Sequence, residues 1–139
     1  MASDIGSWAD HDMGGVAHLV HLEGLRIDTD PILRLQANLG PQGAARYLRE
    51  AREELLILLS LIRAAHEGSS FNQLASRCNR AGSLGLQLGF PSIRDAAANA
   101  GDAAESGDAT ATSATVARLM RLGLRAAEEM GELQSVVLR

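Results

Sequence analysis

Residues able to do chemistry fall at the two ends of the first half of the chain and in one later segment. His18 and His21 stand three apart, with Asp10, His11 and Asp12 upstream. Imidazoles and carboxylates can hold Zn²⁺ or Ni²⁺. This spacing fits no closed site, and scattered histidines on a polar arm are the simpler reading, so no metal is expected. In the later segment Cys78 lies between Arg77 and Arg80. An adjacent guanidinium can lower a thiol pKa. With no histidine nearby, a lone helical cysteine reads instead as a small buried hydrophobe. Gly82, Gly85 and Gly89 follow. They do not form Gly-x-Gly-x-x-Gly after a strand, and no lysine accompanies them, so no phosphate-binding loop and no cofactor are expected.

These residues need a scaffold, and the composition bounds it. The chain has 139 residues, which suits one domain. Thirteen arginines face 17 acids, for a net charge of -4. That balance disfavours nucleic acid, because phosphate contacts need a basic face. Aromatics are only 3%, so the core must be aliphatic. A single cysteine excludes an internal disulfide and a cysteine-based zinc site. No stretch approaches the roughly 20 apolar residues of a membrane span. Residues 1–12 hold three aspartates, no basic residue and no apolar run, unlike a secretory signal. A cytoplasmic protein is the expectation.

Residues 1–27 read as an N-terminal arm. Up to Asp30 there is one arginine, Arg26, against six acids, with Gly6, Gly14, Gly15 and Gly24 as punctuation. Val16, Leu19, Val20, Leu22 and Leu25 could make a helix or an extended stretch packed on the body. Residues 28–139 read as helical. Asp28, Thr29 or Asp30 before Pro31 suits an N-cap, and Gly40-Pro41 stops the first segment. A long helix follows from about Gln42 to His66, with Tyr47, Leu48, Ala51, Leu55, Leu58, Leu59 and Ile62 as its stripe. Its middle is apolar nearly all round, which calls for cover by the arm or for a homodimer seam over Leu55–Ile62. Gly68 suits a left-handed C-terminal position. Helices over about 71–88, 92–106 and 109–136 complete the chain, broken at Gly89-Phe90-Pro91 and Gly107-Asp108. The expected fold is all-α, an up-and-down antiparallel four-helix bundle with an extra N-terminal segment.

The stretch Leu74 to Pro91 resembles the histidine-containing phosphotransfer (Hpt) domains of bacterial phosphorelays. In those bundles an exposed histidine lies mid-helix, followed by small residues and, about ten positions on, by a glycine and a helix break. Counting back from Gly89-Phe90-Pro91 puts Asn79 at the histidine position. The resemblance extends over residues 28–135, through Ile32–Gly40, the long helix ending at Gly68, and the alanine-rich helix ending at Gly107-Asp108. It implies a partner: a response-regulator receiver domain or its histidine kinase. It also implies a face. Asn79, Gly82, Ser83 and Leu86 recur at i, i+3, i+4 and i+7, with Arg77 and Arg80 flanking them toward an acidic pocket.

The departure from the family decides the chemistry. A carboxamide nitrogen is delocalised into its carbonyl and is no substitute for imidazole as a phosphate acceptor. No histidine occurs between Glu67 and Arg139. The expectation is therefore a non-catalytic, Hpt-like adaptor that binds without relaying phosphate. The alternatives are phosphotransfer through His66 and a homodimeric structural bundle.

Overall fold

The computed structural model describes residues 25–137, with side chains to Gln134. Four helices account for nearly all of it: α1 (Asp30–Glu67), α2 (Phe71–Leu88), α3 (Pro91–Ser106) and α4 (Ala109–Val137). Each packs on its neighbours in sequence, and α1 against α4 closes the ring. The connections are two or three residues long, so successive helices run antiparallel. Two contacts fix the α1–α4 register: Arg52 Nε donates to the Ala127 carbonyl at 2.7 Å, and His66 Nε2 lies 3.2 Å from Ser113 Oγ.

Glycine and proline place the breaks. Gly40 takes φ 74° and ψ 172° inside α1, dividing it into arms over 30–39 and 41–67. Pro41 disfavours the helical conformation in the residue before it, and glycine accepts positive φ without a Cβ penalty. Gly89 and Gly107 end α2 and α3 in the left-handed conformation. Gly68 does not: it keeps φ -85°, and the left-handed turn falls one residue later, on Ser69 at φ 56°. The helical bonding runs one residue further than glycine alone suggests, with Gly68 N–H donating to the Ala64 carbonyl at 2.9 Å. Asp108 starts α4, its Oδ1 accepting the Ala111 N–H at 3.0 Å.

The core is aliphatic, with Phe90 its one fully buried aromatic among the described residues. Leu48, Leu55, Leu59 and Ile62 of α1 meet Leu74 and Leu88 of α2, Ile93 of α3, and Leu119, Leu122 and Met130 of α4. Tyr47 departs from its expected place in this stripe. One position before Leu48 turns it about 100° away, and it stands 37% exposed over a groove between α1 and α2. Among the described residues the middle of α1 is not covered all round: Leu56 is half-buried, and Ile57 and Leu61 are 59% and 38% exposed.

The body begins before Asp28. Leu25 is buried in the core cluster. Asp28 N–H donates to the Gly89 carbonyl at 2.6 Å, and Arg26 N–H donates to Ser92 Oγ at 2.9 Å. Arg26 also pairs with Asp95 of α3 at 3.4 Å. Residues 25–28 thus form a strap across the α2–α3 turn. The rest of the arm, including His11, His18 and His21 and the Val16–Leu22 apolar set, lies outside the described residues.

Candidate functional site

α2 forms because Leu74, Cys78, Ala81, Leu84 and Leu88 recur at helical spacing and are all buried. Burial makes Cys78 inert. Desolvation pushes its thiol up to about 11, so it stays protonated at neutral pH. The arginines beside it in sequence do not activate it.

The inner edge of α2 toward α3 is built from small residues. A Cβ on Gly82 would meet Ala97 Cβ at 3.3 Å, and one on Gly85 would meet Ile93 Cβ at 2.6 Å. On α3, a Cβ at Gly101 would touch Cys78 Cβ at 3.7 Å. Glycine and alanine on both helices let the two backbones approach closely. This explains Gly82, which the spacing placed on the docking face. It is buried in the seam, and its role is to bring α3 against α2 rather than to meet a partner.

Asn79, Ser83 and Leu86 are exposed together on the solvent side of that seam. Leu86, at 48% exposure, supplies the apolar element. The close approach brings in a residue from α3 that the sequence pattern did not flag. A Cβ on Gly82 would lie 3.7 Å from Arg94 Cα, so Arg94 stands beside the face. Its Nε donates to Asp95 Oδ1 at 3.2 Å. The only forward signal was Arg94's place three before Ala97, which holds nothing distinctive without the packing.

The expected basic flank is arranged differently. Arg80 turns toward α1, where its Nε donates to Glu54 Oε2 at 2.8 Å and its Nη2 reaches the same oxygen. Arg77, two residues from Asn79, lies about 160° around the helix from it and is half-buried. Helical periodicity turns these two arginines away from Asn79, whereas Arg94 of α3 stands beside Gly82 at the edge of the face. The groove under Arg80, lined by Tyr47, Glu50, Glu54 and Gln87 among others, has a volume of about 190 Å³. That is below the size of ordinary ligand pockets.

His66 sits at the end of α1, half-buried, with Nε2 engaged by Ser113. It is neither fully exposed nor mid-helix. Among the described residues no group of three or more His, Cys, Asp or Glu is placed to hold a metal, and no helix is long and apolar enough to cross a membrane.

Fold and site together define an all-α, up-and-down four-helix bundle carrying a small, polar, amide-bearing face where α2 and α3 pack closest. No protein-family model, curated protein or solved structure matches the chain.

Proposed function

We propose that this protein is a non-catalytic signalling adaptor that docks a response-regulator receiver domain, or the kinase that feeds it, on the α2–α3 face. The observation that carries the reading is the exposed Asn79 mid-helix on α2, with Ser83 one turn on and Leu86 beyond it. Small side chains leave this face shallow, so a partner's loop can reach the backbone of both helices. Asn79 both donates and accepts hydrogen bonds, and so can engage the partner atoms an imidazole would meet. It forms no phosphoramidate, so binding occupies the receiver without discharging it. Occupancy then biases the pathway by mass action. Arg94 supplies positive charge for an acidic pocket once its bond to Asp95 yields, which costs little at this exposure.

The test is a titration of purified receiver domains from the same organism against wild type and Ser83→Arg. Binding to wild type, at least tenfold weaker with Ser83→Arg at unchanged helicity, is the expected result. A phosphorylated receiver should keep its phosphoryl group in the presence of the adaptor. Phosphoryl transfer abolished by His66→Ala would replace this reading with the phosphotransfer one, and absence of binding across the receivers and kinases would remove it.

A further inference from the structure

α1 carries a second stripe that the bundle leaves unused. Its inner stripe, Leu48, Leu55, Leu59 and Ile62, is buried. On the outer side Arg49, Glu53, Leu56, Ser60, Arg63 and Glu67 recur at alternating steps of four and three. That alternation is the spacing of a helix–helix seam. Leu56 is half-buried, the other five are exposed, and Ile57 beside them is 59% exposed. Among the described residues, none of the four charged members has an ion-pair partner.

The order of the charges is self-complementary. Laid antiparallel against a second α1, with the two-fold axis level with position 58, Arg49 comes opposite Glu67 of the other copy. Glu53 comes opposite Arg63. Both pairings share that one centre, and symmetry repeats each, giving two pairs on either side of a patch of Leu56, Ile57 and Ser60. A parallel in-register pairing sets every charge against its own kind, which opposes association. Within one helix, arginine placed four residues before glutamate is the weaker order for an ion pair, so these groups are available to a partner.

We infer that this protein forms an antiparallel, two-fold homodimer through the outer face of α1. An isologous contact of this type closes on itself and leaves no open edge. α3 lies diagonally across the bundle from α1, so both α2–α3 faces remain free in the dimer. The adaptor is then bivalent, and a partner presenting two sites is held more tightly than by one face alone.

Sedimentation of the full chain over a wide concentration range tests this. The expected species changes from 14.7 kDa to twice that mass with concentration, and added salt shifts it back toward monomer. Glu53→Arg is expected to weaken association at least tenfold by setting Arg against Arg63. Adding Arg63→Glu restores it, because the reversed pairs match again. Both substitutions are at exposed positions, and circular dichroism checks that helicity is kept. A monomer at every concentration overturns the proposal. So does a dimer indifferent to Glu53→Arg. A monomer destabilised by Ile57→Asp would show that the chain's own residues 1–24 occupy this face, which also overturns it.

Discussion

Replacing Gly89 by alanine isolates what the strap contributes, because Gly107 provides an internal control. Both glycines end helices with positive φ, 94° and 75°. Alanine in that conformation costs about 1 kcal/mol. At Gly107 nothing stands within 4 Å of an added Cβ, so the conformational cost is the whole effect. At Gly89 an added Cβ collides with the Asp28 carbonyl, and the strap must move away. That breaks the Asp28–Gly89 hydrogen bond, worth about 1 kcal/mol. It also draws Leu25 out of the core, worth roughly 1.5 kcal/mol or more for a leucine side chain. Gly89→Ala should therefore lose roughly 3 kcal/mol or more against about 1 kcal/mol for Gly107→Ala, read by urea unfolding with far-UV circular dichroism. Trypsin supplies a local readout, since release of the strap should speed cleavage after Arg26. Equal losses in the two variants, with Arg26 no more accessible in one than in the other, would mean that the strap contributes nothing.

Three further outcomes follow from the packing. Ile93→Ala removes a fully buried side chain that presses on Gly85 and should cost about 2–5 kcal/mol in the same assay. Arg80→Ala breaks an ion pair whose partners are 53% and 39% exposed, so it should cost under about 1 kcal/mol. Cys78 should resist thiol reagents until the chain unfolds. Its folded pKa of about 11 lies above the free value of 9.0, so its stabilising effect is present below pH 9.0 and is lost as pH rises toward about 11. The chain has no lysine and one tyrosine, which leaves little else to titrate there, and Cys78→Ala should flatten the fall in unfolding midpoint.

The helices were legible because Gly40-Pro41, Gly89-Phe90-Pro91 and Gly107-Asp108 are local signals read without tertiary context. The outcome at Gly68 marks the limit of that approach: two further backbone bonds carry the turn past it to Ser69. In the middle of α1 the helical stripe already separated Leu58 and Leu59 from the exposed Ile57, and only Tyr47 left it, for the groove beside α2. Site residues divided the same way. Periodicity brought Asn79, Ser83 and Leu86 together on solvent. It could not tell that Gly82 faces α3, because a glycine has no side chain to give a pattern. The Arg80–Glu54 bond and Arg94's place beside Gly82 join residues far apart in sequence, and nothing local encodes them. The apolar pattern already offered Leu25 for packing on the body, but the bonds from Asp28 to Gly89 and from Arg26 to Ser92 were hidden for the same reason.

The most direct test of the α2–α3 docking face is an amide-resolved NMR map of the full chain as a purified receiver domain is added. Shifts are expected only at the α2 positions around Asn79, Ser83 and Leu86 and in the first turns of α3 around Arg94, with α1 and α4 unmoved. Shifts centred on another surface, or none at saturating receiver, would contradict that expectation.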